Sequence, residues 1–161
     1  MHETRIAAGL PKAELYRELA RELPALLAGE PDLIANLANT SALLFQSLPD
    51  LNWAGFYLLK DGELVVGPFQ GKPACVRIPM GKGVCGTAAL RRASVIVRDV
   101  NQFPDHIACD TASNSEIVVP LLRSGELLGV LDIDSPLLER FDEEDRAGLE
   151  QLVAILMERV A

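Results

Sequence analysis

The sequence predicts an α+β fold, in which an antiparallel sheet carries the N- and C-terminal helices packed on one face. Leucines recur at helical spacing near both ends of the chain, and the middle is a succession of short apolar and aromatic runs. Those runs are joined by Asp61-Gly62 and Ser124-Gly125, pairs that suit two-residue hairpin turns. Helices at the ends and hairpins between them make an α+β domain rather than a parallel βαβ array. With 161 residues the chain is long enough to bury a full core, and a single domain over 1–161 is expected. Its helical N-terminal part covers about 11–48, and its sheet, loops and last helix cover about 51–160.

Taken in order, residues 12–27 place Leu15, Leu19, Leu23, Leu26 and Leu27 on a helical stripe with Pro11 at its mouth. Glu30-Pro31-Asp32 breaks that helix. A second helix then runs to about Leu48, with Leu33, Ile34, Leu37, Leu43 and Leu44 on its apolar side, and Pro49-Asp50 ends it. Residues 52–59 (NWAGFYLL) are strand material, and 63–66 return after the Asp61-Gly62 turn. Trp53, Gly55 and Tyr57 share one face of the first strand, leaving Ala54, Phe56 and Leu58 opposite. Residues 67–75 (GPFQGKPAC) read as a Gly/Pro-rich loop, 76–79 as a short strand, and 84–92 as a helix entered through a glycine turn. A strand at 95–97 precedes the long polar stretch 99–115, which is of the kind that carries function. Residues 115–135 form the central hairpin, and 141–160 close the chain as a helix capped by Asp142.

Composition excludes several classes. The chain is 49% hydrophobic and 24% charged, as in ordinary globular proteins, and its formal net charge of -8 argues against a nucleic-acid partner. No apolar run approaches the roughly 20 residues of a membrane span, and residues 1–5 open no secretory signal, so a cytoplasmic protein without membrane association is expected. In that setting the three cysteines, Cys75, Cys85 and Cys109, are thiols at rest.

The second strand of the central hairpin carries Asp132 and Asp134. Strand alternation puts both carboxylates on one face, with Leu131 and Ile133 on the other. Two acids in an apolar strand are costly unless something uses them. Gly81 to Gly86 matches G-x-G-x-x-G, but it lies among hairpins, and a tight glycine turn into a helix explains it fully. His106 and Cys109, with Cys75 and Cys85, are four donors of the type zinc takes. No two cysteines have the short spacing of a zinc knuckle, however, and no metal is expected. Redox chemistry fits these cysteines better: Cys75 lies in or beside a glycine-rich loop, Cys85 at a helix start, and Cys109 in the polar stretch near His106. Spacing alone leaves open which of them attacks. If Trp53 faces the same side of the sheet as the two aspartates, it walls a site for a ligand with a methyl group at one end and an ammonium at the other.

Four segments together resemble one family: NWAGFYLL at 52–59, GPFQGKPACVRIPMGKGVCGTAA at 67–89, DVNQFPDHIACD at 99–110, and SEIVVPLL with GVLDIDSP within 115–136. They are similar to the free methionine-(R)-sulfoxide reductases, which are GAF-domain proteins. The resemblance implies a GAF-like sheet and an enzyme that reduces free methionine-(R)-sulfoxide to methionine. By it, Cys109 attacks the sulfoxide sulfur and becomes a sulfenic acid, Cys75 resolves that acid as a disulfide, and Cys85 relays or substitutes. Glu116, Asp132 and Asp134 match the acids that bind and activate the substrate. Trp53 walls the methyl group, and Tyr57 joins it as a substrate contact on the same face. No cofactor is implied; thioredoxin is the external reductant, and the protein is a homodimer. The alternatives are a non-catalytic GAF sensory module that binds a small ligand and a metal-binding protein.

One geometric expectation does not come from the family. With a plain two-residue turn at Ser124-Gly125, Glu116 lies opposite Ile133 and faces away from Asp132 and Asp134. Bringing the three acids together demands a one-residue offset, either a longer turn or a bulge within 118–122, for which Pro120 is the natural place.

Overall fold

The structure, a computed structural model, describes residues 6–107 and 111–160. Helix α1 spans Lys12–Leu27 and buries Leu15, Tyr16, Leu19, Leu23 and Leu27. Pro24 falls within it without ending it. Helix α2, Leu33–Ser47, starts where the Asp32 carboxylate accepts the Ala35 N–H at 2.8 Å. Its buried side differs from the expected one: Ile34 is 51% exposed, while Asn36, Thr40 and Ser41 are buried beside Leu37, Leu43 and Leu44. The small hydroxyl side chains can face the sheet because Thr40 and Ser41 donate to the carbonyls of Asn36 and Leu37 one turn back, at 2.7 and 2.8 Å.

Six antiparallel strands follow, in the spatial order β3-β2-β1-β6-β5-β4. They are β1 Trp53–Lys60, β2 Glu63–Gly71, β3 Arg77–Pro79, β4 Val95–Val97, β5 Ser115–Arg123 and β6 Glu126–Ser135. Both hairpin turns have left-handed backbone at two successive residues, Asp61-Gly62 and Ser124-Gly125, the geometry that matches strand twist. Strand β2 runs further than its composition suggests. Gly67 to Gly71, expected in a loop, continues to pair with β1 past a bulge that absorbs Gly67 and Pro68. A side chain at Gly55 would meet the Phe69 Cβ at 2.2 Å, so this close crossing needs glycine.

Helix α3, Gly83–Arg91, lies between β3 and β4, and helix α4, Glu143–Met157, ends the fold. Asp142 caps α4 in a reciprocal box: its side chain accepts from Glu144 and Asp145, while Asp145 accepts the Asp142 N–H. Helices α1, α2 and α4 cover one face of the sheet, packing on Ala54, Phe56, Ile117, Val119, Leu131 and Ile133. Helix α3 covers the other, against Trp53, Tyr57, Val118 and Val130. The terminal helices thus share one face as expected, and the short middle helix takes the opposite one.

Candidate functional site

The central hairpin shows how the acids meet. Arg123 pairs with Glu126 and Leu122 with Leu127, but Leu121 pairs with Gly129, so one extra residue, Leu128, is bulged out of β6. Every later pair is offset accordingly, and Glu116 stands opposite Asp134, with Val118 opposite Asp132. The required offset therefore exists, at the step between Leu121 and Leu122, but the extra residue lies in β6 and not, as expected, within 118–122 of β5. The extra residue is not at Pro120, however, which pairs regularly with Val130. The bulge lies on the partner strand because Gly129 can approach β1 there: a side chain at that position would meet the Tyr57 carbonyl at 2.1 Å.

Downstream of the bulge, Glu116, Asp132 and Asp134 face one cavity with Trp53 and Tyr57. Trp53 pairs with Asp134 across β1 and β6, so ring and acids share a face. The Trp53 ring stacks on Phe69 at 5.0 Å and on Tyr57 at 5.8 Å, and its Nε1–H donates to the Lys72 carbonyl at 3.1 Å. The Tyr57 hydroxyl donates to the Cys75 carbonyl at 2.9 Å. One tyrosine thus ties β1 to the segment carrying Cys75, whose Pro73 and Ala74 line the cavity.

Cys85 enters the same cavity from the first turn of α3. Its helix-start position is as expected, but it is a buried free thiol, and burial beside Asp132 and Glu116 pushes its pKa well up. Any help from the helix N-terminus toward thiolate is overwhelmed. Cys75 is disulfide-bonded. Its sulfur is therefore not a metal donor, which removes the set of four donors that composition suggested. Cys109 lies outside the described residues.

Two of the acids are buried and Asp134 is half-buried. Glu116 is 7% exposed and Asp132 6%. Burial, with Asp132 and Asp134 close by, holds the Glu116 carboxyl well above its ordinary range. Burial raises Asp132 too, offset in part by hydrogen bonding with Glu116 and Cys85. A cavity so built favours the protonated form of its buried carboxyl groups, the form that can give a proton, while any carboxylate left ionised can hold a cation.

Sequence reasoning singled out His106 beside Cys109 but not as a wall of this cavity, and it missed Ile107 and Ser113. His106 Nε2 lies 3.8 Å from Glu116 Oε1, and burial lowers its pKa, so the imidazole sits neutral beside the acid. Ser113 accepts a hydrogen bond from Asn52 Nδ2 at 2.9 Å, which ties the polar stretch to the start of β1. The one available signal was the position of His106 in a polar segment before the strand of Glu116. Glycine explains the 81–86 motif as expected: a side chain at Gly86 would meet the Pro79 carbonyl at 2.5 Å. Cys85, Glu116 and Asp132 present donor atoms within 4.8 Å of one another.

An antiparallel sheet with a helix-covered core face and a cavity of acids and aromatics under a short helix defines a GAF-domain protein, and the GAF domain family matches residues 35–158. The free methionine-R-sulfoxide reductase of Escherichia coli is 60% identical over 90% of this chain and 88% of its own length. That of Saccharomyces cerevisiae is 45% identical over 93% of this chain and 88% of its own. The free methionine-R-sulfoxide reductase of Neisseria meningitidis, solved in complex with its substrate, is 48% identical, covers 99% of this chain and 95% of its own, and superposes with a TM-score of 0.95. The chain belongs to the free methionine-R-sulfoxide reductase family. Among the described residues, no helix is long and apolar enough to cross a membrane.

Proposed function

We propose that this chain reduces free methionine-(R)-sulfoxide to methionine. The observation that carries the reading is the convergence of Trp53, Glu116, Asp132 and Asp134 on one cavity, beside the segment that holds Cys75. Trp53 walls the methylsulfinyl end, with Tyr57 beside it. Asp132 and Asp134 hold the ammonium group, and Glu116 is the acid. The sulfoxide oxygen is a poor leaving group until protonated, so a thiolate must strike sulfur while a carboxyl delivers a proton to that oxygen. A group held protonated by burial is suited to that task.

Cys109 is the nucleophile in this scheme. Its sulfur bonds to the substrate sulfur, and the protonated oxygen then passes to Cys109 as that sulfur–sulfur bond and the substrate S–O bond break, so Cys109 is oxidised by two electrons to a sulfenic acid and methionine leaves reduced by the same two. The Cys75 thiol then attacks the sulfenic sulfur, releasing water and leaving a disulfide. The disulfide at Cys75 and the free, buried, proton-holding Cys85 support Cys75 as the resolving residue. An external dithiol, in our reading thioredoxin, restores both thiols by exchange, and no bound cofactor takes part. In the same reading the chain works in the cytoplasm as a homodimer of single GAF domains spanning 1–161.

Specificity for the free amino acid follows from the buried carboxylates, which demand an ammonium that backbone-linked methionine lacks. The test is turnover by the purified chain with dithiothreitol, followed by chromatography of methionine. Free methionine-(R)-sulfoxide is expected to be reduced, and its N-acetyl form at least about 100-fold less efficiently, a loss of roughly 3 kcal/mol for a buried charge left unpaired. Equal rates on both forms would overturn the assignment of the acids. Binding without turnover would favour a sensory module.

A further inference from the structure

We propose that Cys85, Glu116 and Asp132 form a binding site for one divalent cation of the zinc class. The three donors come from α3, β5 and β6, their ligand atoms lie within 4.8 Å of one another, and all three residues are buried. A second observation points to a missing partner. Asp132 Oδ1 is shielded from solvent, lines the cavity, and accepts no hydrogen bond among the described residues. A buried carboxylate oxygen left so is costly, and a cation satisfies it directly. One sulfur and two carboxylates suit a borderline metal, which takes sulfur at about 2.3 Å and oxygen at about 2.0–2.2 Å. They suit magnesium or calcium poorly, since those ions take oxygen alone.

The site is complete in the form described, because Cys85 is a free thiol while Cys75 is disulfide-bonded. Ligation requires a thiolate and carboxylates, so affinity rises with pH. The other titratable groups facing the cluster are Tyr57 from β1, Asp134 from β6 and His106 from the preceding loop. Asp134 adds negative charge that favours the ion. All three residues line the cavity, so an ion held by them occupies space that the substrate's polar end would use.

The probe is cadmium(II), titrated into the full chain in its oxidised form without reductant. Thiolate ligation is read from the ultraviolet charge-transfer band of the cadmium–sulfur bond. The expected result is a saturable band at one equivalent that is absent in Cys85→Ala and at least about tenfold weaker in apparent affinity in Asp132→Asn. Circular dichroism establishes that the variants are folded, and the wild-type stoichiometry stands without them. No band in the wild-type chain, or an undiminished band in both variants, would overturn the site. An intact band in a protein that fails to reduce methionine sulfoxide would sustain the cation site and sink the reductase reading; turnover without a band would do the reverse.

Discussion

Ala54, Phe56 and Leu58 alternate along β1 with Trp53, Gly55 and Tyr57, yet the two sets belong to different kinds of surface. The first set joins Ile117, Val119, Leu131 and Ile133 in a dry layer beneath α1, α2 and α4. On the other side, β5 and β6 present Glu116, Asp132 and Asp134 in a cavity that α3 only partly fills. Each fully buried aliphatic or aromatic side chain of the first layer stabilises the fold by about 1.5–3 kcal/mol. Each buried acid of the second layer opposes it, because burial disfavours its charged form. The period of two in a strand is what lets one segment do both: stability is built on one face and spent on the other, one residue apart.

If the site face trades stability for chemistry, Glu116→Gln separates the two. The amide has the same shape but can neither give a proton nor ionise. Turnover should fall by about 10²–10⁴-fold, the usual contribution of a positioned general acid. Stability should move the other way. The Glu116 carboxyl is held above its unfolded value of 4.5, so its stabilising contribution is complete below that value and is lost as pH rises through the folded value. Glu116→Gln should therefore gain on the wild-type chain as pH increases. Thermal melts at pH 4 and pH 8 check this; a variant that gains nothing on the wild-type chain between the two would break the comparison.

The core face should respond in the opposite sense. Phe56 is fully buried, and Phe56→Ala should cost about 3–5 kcal/mol in urea denaturation. Well below its melting temperature, the variant should keep turnover within a few-fold, since no atom of Phe56 lines the cavity. Between the two faces stands Gly129, which lets β6 cross β1 after the bulge. Gly129→Ala forces a methyl group onto the Tyr57 carbonyl and should cost about 3 kcal/mol, the upper end for overpacking. Because the same crossing sets the offset that pairs Glu116 with Asp134, turnover should fall as well, unlike in Phe56→Ala.

Much of this was legible in the amino-acid sequence. Leucine spacing located α1, the Asp-Gly and Ser-Gly pairs located both hairpin turns, and alternation put Asp132 and Asp134 together on one face, though only the pairing of β1 with β6 puts Trp53 on that face too. Even the need for an offset beside Glu116 followed from counting residues around the turn. Its location did not, because Gly129 reads as part of an apolar run until β1 is seen crossing it, whereas Pro120 advertises an irregularity it does not make. The extension of β2 through Gly71 was hidden for a similar reason: Gly67 and Pro68 look like loop, and only pairing with β1 absorbs them into a bulge. Ile34 was misplaced because Thr40 and Ser41 satisfy their hydroxyls within the helix and so take buried positions that apolar residues were expected to hold. His106 and Ser113 reach the cavity from a stretch without periodicity, where tertiary contacts alone decide direction.

The smallest expected effect is at Asp142, on the core side but far from both layers' centres. Its side chain caps α4 by accepting the N–H groups of Glu144 and Asp145, and Lys12 Nζ donates to it at 2.9 Å from α1. Asp142→Ala should cost about 1 kcal/mol, the usual loss for an N-cap, with turnover unchanged. The pH dependence has a definite sign. Slight burial works against the carboxylate, but the Lys12 hydrogen bond and the backbone donors outweigh it and hold the Asp142 pKa below its ordinary value. Its contribution is therefore present above the unfolded pKa and is lost as pH falls through the folded one. Taken as variant minus wild type, the stability of Asp142→Ala should thus fall as pH rises from acid to alkaline, whereas that of Glu116→Gln should rise. Chemical denaturation of both variants across that range measures the two slopes, and slopes of the same sign would mean that the two faces do not respond to charge in opposite ways.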